Sequence, residues 1–498
     1  MTPYRLQATI RRCAAVFLFA CVAGSVAAAE RSPDGLWQRV AETDIPRAPS
    51  TRQILPIQYL TVSLARSQLQ ARLAQAPLER EVPVARSATV LTLPLPDGRY
   101  GSFRIVESPI MEAALGERYP QIRTYLGQGI DDPTATLRFD LTPAGFHAQI
   151  IGMDGTQYVD PYQPGDDSHY IAYRKRDLET GKQMRCEVDG ADLSTSGLSA
   201  HLKNLVPKVS SGATLRTYRL AMAATGEYTA FHGGRVIDAL AAIVTTMNRV
   251  DGIYEREVSV RMVLVANNDA ILYTNALTDP YANTSGDLTA NQTTINNVIG
   301  SANYDIGHLV GTGGGGVAGL GVVCTTSKAR GLTGSSAPIG DGFDVDYVAH
   351  EMGHQFSGNH TFNGGGTPAT AGNNCSGGNR SASTAYEPGS GVSIQAYAGI
   401  CAADDLQPNS EDHFHRVSLN EILAFTTTGS GNGCAVQTAT GNVVPTVSVT
   451  APAAAVTIPR QTPFALTAAG VPGDADTLTY LWEQFDLGAA NAEGVLAD

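Results

Sequence analysis

One stretch of eleven residues constrains this chain more than anything else in it: His350-Glu351-Met352-Gly353-His354-Gln355-Phe356-Ser357-Gly358-Asn359-His360 satisfies H-E-x-x-H-x-x-G-x-x-H at every fixed position. Residues four apart lie one turn apart on the same face of an α-helix. On a helix, His350 and His354 therefore present two imidazoles to one point. Gly358 stands where the chain must turn back, and glycine enters the left-handed conformation at little cost. The turn brings up His360 as a third nitrogen. Three protein ligands with the fourth position left to water are the arrangement of a catalytic zinc site, since a structural site closes all four. Glu351, next to the first ligand, is placed to act as general base on that water. Gly353 costs about 1 kcal/mol in a helix interior relative to alanine, so something is expected to pack closely on it. Ordinary helix histidines are the plainer reading of H-E-x-x-H alone, but the added glycine and third histidine set it aside.

The chain around this stretch is long enough for about three domains of roughly 100–200 residues each. It is 43% apolar and only 16% charged, the composition of a chain with a sizeable core. A net charge of -13 argues against nucleic acid as a partner, because phosphate binding needs clustered Lys and Arg. After Lys208 the only lysine is Lys328. Arg5, Arg11 and Arg12, the short apolar run Ala14 to Val22 and the small residues Ala27-Ala28-Ala29 read as a secretory signal peptide over 1–29, cleaved after Ala29. Acylation at Cys21 is the competing reading, and Phe19 fits it poorly. No other segment is apolar enough to span a membrane as a helix. Outside the signal peptide five cysteines remain, Cys186, Cys324, Cys375, Cys401 and Cys434, so one is left over. The last four can form two disulfides in an oxidising compartment, with three pairings open.

Residues 30–213 read as a β-rich segment with a polar linker from about Ser194. Val90 to Leu95 and Phe103 to Val106 flank a turn at Pro96-Asp97-Gly98, and Leu137 to Leu141 and Phe146 to Ile151 flank Pro143-Ala144-Gly145. The pattern then alternates. Strands are expected at Leu215 to Ala223, Val258 to Ala266, Asp305 to Val310 and Val317 to Val323. Helices are expected at Val236 to Val250, over 290–300 and at Val345 to Phe356, the last opening on Asp344 and Asp346 at the positive end of its dipole. This order makes 214–436 an α/β domain. From Val443 short strands at Thr446 to Thr450, Pro463 to Ala468 and Leu478 to Phe485 resemble the start of an immunoglobulin-like or PKD-like sandwich. Such a sandwich needs about seven strands, so the chain is expected to end inside that domain at Asp498.

The segment Gly313 to Gly334, with Gly316-Val317-Ala318-Gly319-Leu320-Gly321-Val322-Val323-Cys324, resembles the edge strand of reprolysin-like (adamalysin-type) metallopeptidases of the metzincin clan. Asp344-Val345-Asp346-Tyr347-Val348-Ala349 leads into the histidine motif as in bacterial members. The resemblance covers 214–436 and implies an α/β metzincin catalytic domain, a mixed twisted sheet with a zinc helix. It makes 30–213 a propeptide and the pairing Cys324–Cys434 and Cys375–Cys401. It also implies that an extended substrate pairs with Val317 to Val323 as the upper rim of the cleft; a plain glycine-rich surface strand is the other reading. Ser393-Ile394-Gln395-Ala396-Tyr397-Ala398-Gly399 aligns with the Met-turn beneath the zinc, and Gln395 stands where the methionine belongs. Methionine is a soft apolar floor; a glutamine amide needs partners. Tyr397 resembles the tyrosine that approaches zinc in astacins and serralysins, where it would stabilise the tetrahedral intermediate; packing in the turn is its plainer role. Cys186 is either a cysteine switch, its thiolate occupying zinc's open position in the zymogen, or a spare buried thiol.

Other groups attract attention and have bland explanations. His413 and His415 read as surface or packing histidines. Asp404, Asp405, Glu411 and Asp412 would suit Ca2+, but they lack EF-hand spacing and read as an acidic surface. His308 reads as a core hydrogen-bonding histidine. The whole sequence thus describes a secreted zinc-dependent endopeptidase acting on polypeptides. The alternatives are a weak or inactive zinc-stabilised extracellular binding or adhesion protein, which Gln395 and the appended sandwich make plausible, and a zinc hydrolase acting on something other than protein.

Overall fold

Alternating apolar residues and intervening turns build the N-terminal half as a sheet. Its strands are β1 (Trp37–Arg39), β2 (Tyr59–Leu64), β3 (Val90–Pro94), β4 (Tyr100–Glu107), β5 (Arg123–Gly129), β6 (Thr136–Thr142), β7 (Gly145–Gly152), β8 (Gly155–Pro161) and β9 (His169–Arg174). They form one antiparallel sheet in the order β1-β2-β9-β8-β7-β6-β5-β4-β3. Both expected hairpins are present, with Gly98 and Gly145 supplying positive φ at their turns (86° and 128°). One face of the sheet carries the aromatic core of Trp37, Phe139, Phe146 and Tyr170. The other carries Arg138, Gln149, Tyr158, Asp160 and Tyr173, which face the second half of the chain.

The computed structural model describes residues 30–46, 52–178, 186–189, 210–365, 374–375, 379–451, 457–459 and 461–488. The expected signal peptide, its cleavage point and most of the linker lie outside them. Strand β10 (Cys186–Asp189) joins the second sheet, with β11 (Thr214–Ala224), β12 (Val260–Leu264), β13 (Ile306–Gly311), β14 (Gly316–Gly319) and β15 (Gly331–Gly334), in the order β10-β14-β15-β13-β11-β12. Neighbours are parallel except that β14 runs antiparallel to β15. β16 (Val436–Ala439) pairs antiparallel with the start of β11, so this unit runs to Ala439, past the expected limit at 436.

Three expectations need revision. The helix expected over 236–250 runs on to Val258, because its second half buries charge that hides its periodicity: Arg249 pairs with Asp160 and Asp344, and Glu255 with Arg138. The strand expected over 317–323 stops at Gly319. Beyond it Gly321 (φ 63°) and Val322 turn their N–H groups onto the carbonyls of His354 and Gln355, capping the motif helix. The third strand of the C-terminal region does not form. β17 (Thr446–Ala451) and β18 (Thr467–Val471) pair, but 478–485 has no strand, and its end docks on the α/β unit instead: the Arg416 N–H donates to Glu483, and Phe485 stacks on Tyr386 at 4.5 Å.

Candidate metal centre

The motif helix forms as read, His350–Gln355, entered through a wider helical stretch at Asp344–Ala349. Asp344 and Asp346 do not cap it. Asp344 accepts from Thr246 and Arg249, and Asp346 lies 3.4 Å from the Lys175 ammonium. Burial with those partners outweighs any dipole effect.

His350, His354 and His360 are 1%, 0% and 2% exposed. Each Nδ1 lies 2.6 Å from a backbone carbonyl, those of Ile394, Gly358 and Asn379 respectively. Nδ1 is thus the protonated nitrogen of each ring, and the Nε2 lone pairs turn inward. His354 Nε2 is 3.0 Å from the Nε2 of both other rings. Burial, reinforced by the neighbouring imidazoles, holds His354 and His360 well below the ordinary histidine range. Three neutral, pre-aimed imidazoles are the donor set zinc takes, so the cluster is compatible with that ion. It is the one group of three or more metal-type ligands among the described residues.

Glu351 is fully buried beside the cluster and beneath β14. A methyl group at Gly316 would come within 1.9 Å of its Oε1, so the glycine lets the strand pass directly over the carboxylate. Gln395 is fully buried under the three histidines. Its Nε2 donates to the Gly358 carbonyl at 3.2 Å, the carbonyl that also fixes His354. The close neighbour expected at Gly353 is this same glutamine: a Cβ there would lie 2.2 Å from Gln395 Oε1. Tyr397 is 2% exposed, its ring 4.6 Å from His360 and stacked on Phe362 at 4.4 Å.

Two acids escaped the sequence reading. Glu387 ties the third-ligand loop to the turn under the site, accepting from Thr361, from the N–H groups of Val392 and Ser393 and from Ser393 Oγ. Glu421 accepts from the N–H and the amide of Asn359, and burial pushes it up to about 7. Only Glu421 left a trace in the sequence, a charge beside Ile422 and Leu423 in an amphipathic helix.

The other candidates disperse. His308 bridges Gln355 and Thr333, and burial lowers it to about 4, as suits a core histidine. His415 caps the helix Arg416–Thr427 by accepting from the Val417 N–H. Among the four acids considered for Ca2+, Asp412 instead faces the Lys175 ammonium and Asp405 accepts from the Cys401 N–H. The disulfides are Cys324–Cys434 and Cys375–Cys401, the implied pairing. The backbone of Cys186 pairs with Gly316 through β10.

A sheet whose edge strand is reversed, lying over a helix that presents three inward imidazoles and a glutamate, defines the α/β metzincin class. Residues 214–425 match the model of metallo-peptidase family M12B, reprolysin-like, which supports a reprolysin-like metallopeptidase over this part of the chain. A search of curated proteins gave no match to the chain.

Proposed function

We propose that the chain is the exported precursor of a zinc endopeptidase, with His350, His354 and His360 as the metal ligands, Glu351 as general base and 30–213 as propeptide. The observation that carries it is the convergence of three Nε2 atoms beside a buried Glu351 under β14. Zinc held there supplies a Lewis acid that polarises the scissile carbonyl and acidifies water. Glu351 accepts the proton of the attacking water and passes it to the leaving amine nitrogen. The backbone of β14 holds an extended peptide in line with that carboxylate. Tyr397, against His360, is the candidate to steady charge on the tetrahedral intermediate.

The propeptide reading is supported by β10. It runs parallel to β14 from Cys186 opposite Gly316 to Asp189 opposite Gly319, along the edge a substrate would use. That register brings the Cys186 backbone across from the glycine that overlies Glu351, which favours the cysteine-switch role over a spare thiol. Export is supported by the two disulfides.

The deciding experiment measures zinc content and peptide cleavage of the processed protein beside Glu351→Ala. One zinc in each, with cleavage lost by more than about 100-fold in the mutant, is the expected result. Zinc in both and cleavage in neither would favour the binding-protein reading, which Gln395 makes the second choice. In the unprocessed chain, Cys186→Ser should raise zinc-dependent cleavage; unchanged latency would remove Cys186 from the switch.

A further inference from the structure

Away from the histidines, an ammonium group from the N-terminal half ends inside the α/β unit. Lys175 follows β9 and is 4% exposed. Its Nζ lies 2.5 Å from Asp412 Oδ1, 3.1 Å from Asp341 Oδ2 and 3.4 Å from Asp346 Oδ1. The carboxylates come from three places: the turn before the motif helix, the helical stretch leading into it and the loop before helix Arg416–Thr427. Further donors also come from the N-terminal half. The Tyr158 hydroxyl donates to Asp341, and Thr156 Oγ1 and Gln149 Nε2 donate to Asp412 Oδ2 at 2.6 and 3.4 Å.

The arrangement has surplus negative charge. Burial, then Asp412 and Asp346, push Asp341 up to about 7 against the pull of Lys175. Departure of the N-terminal half would remove the ammonium and these donors together and uncover the acidic trio. Three carboxylates crowded on one point favour a cation or a proton. An ammonium is a compact charge with three donors, matched here by three carboxylates converging on one point, whereas a guanidinium needs planar paired acceptors. Two of the three also border pockets beside the motif helix. Asp346 lines a small pocket with His350 and Tyr397, and Asp341 lines a cleft of about 540 Å3 with Gly313, Gly314 and Tyr347.

We infer that Asp341, Asp346 and Asp412 form a socket for a primary ammonium group, filled by Lys175 in the precursor and by a lysine side chain of the peptide substrate in the processed enzyme. The substrate half of this inference rests on reading the N-terminal half as a removable propeptide; the socket itself does not.

The socket is tested first in the full chain. Lys175→Ala opens the space the ammonium held. Propylammonium should then raise Tm saturably, while 1-propanol and tetramethylammonium should not. Wild type and Lys175→Ala/Asp412→Asn should show no such rise. If Lys175→Ala does not fold, propylammonium alone among the three additives should restore folding yield. Equal effects of all three, or none, overturn the socket. The processed enzyme is then given peptides matched except for lysine or norleucine at each position in turn. Cleavage at least tenfold more efficient at one lysine position, abolished by Asp412→Asn, is expected. Equal cleavage of all pairs overturns the substrate assignment. A chain that cleaves peptides with residues 30–178 still attached would sink the propeptide reading and leave the alkylammonium result standing.

Discussion

Gly353 has no room for a methyl group, and the reason lies in the residue beneath it. A Cβ there meets Gln395 Oε1 at 2.2 Å and Cδ at 2.8 Å, with Gln395 fully buried and unable to swing into solvent. Gly353→Ala should therefore cost about 1–3 kcal/mol in urea unfolding, despite alanine's better helix propensity. In Gly353→Ala/Gln395→Ala most of that cost should vanish; strict additivity would show that the clash is relieved elsewhere. Gln395→Met is a milder change. The glutamine shares the Gly358 carbonyl with His354, and its oxygen is buried without a hydrogen-bond partner. Losing a shared donor and an unmatched acceptor together should leave stability within about 1 kcal/mol of wild type or above it. A larger loss in the unfolding curve would mean that the amide belongs to a required polar network. Sequence made the cluster of His350, His354 and His360, Glu351 beside it and the departure at 395 legible, because helix periodicity and a glycine at the turn are local properties. It could not show that Gly353 and Gln395 answer each other, since they are brought together only by the fold.

At the scale of elements, the site is assembled by pieces that cap and staple one another. The chain leaving β14 caps the motif helix through Gly321 and Val322, then reaches Cys324, whose disulfide to Cys434 closes a loop of sequence separation 110. Replacing both cysteines by serine should cost about 3–5 kcal/mol, read as a lowered unfolding midpoint, because so long a loop is released in the unfolded chain. The helix Arg416–Thr427 contributes Glu421, raised by burial from the usual carboxylate range to about 7. The sign follows from linkage. Between the unfolded value and about 7 the folded state keeps a proton that the unfolded state has lost, so this group lowers stability as pH rises through that window. Glu421→Gln should flatten the decline in unfolding free energy over the same range; an identical slope in the two proteins would refute the shift. Strand β14 and the motif helix were legible from glycine pattern and spacing. The early end of β14 was not, because the carbonyls that draw the chain away belong to a helix about thirty residues further on.

In the whole molecule, two cores meet across a face that is charged in part. The aromatic core of the nine-stranded sheet shares no residue with the cluster around Leu240, Val244, Met247 and Met352. Between them lie Arg249 with Asp160 and Asp344, Arg138 with Glu255, and Arg261 with Glu79. None of this was visible in the sequence, where charges on the long helix only blurred its period. Beside this charged face, Ile110, Leu115, Ile122 and Ile151 of the N-terminal half pack into the α/β core itself, so ion pairs and apolar burial act together across the contact. Residues 30–178 expressed alone should unfold in one cooperative transition. Added back to the processed enzyme, they should bind and inhibit. Asp160→Asn should weaken that binding by about 2–4 kcal/mol, some 30- to 1,000-fold, because Arg249 then enters the interface with one of its two carboxylates gone. The isolated segment should keep its own Tm, since Asp160 lies outside its aromatic core and the asparagine oxygen can still accept from the Tyr173 hydroxyl. Unchanged inhibition by Asp160→Asn would mean that the apolar contact of Ile110, Leu115, Ile122 and Ile151 with the α/β core, rather than the charged face, holds the two halves together.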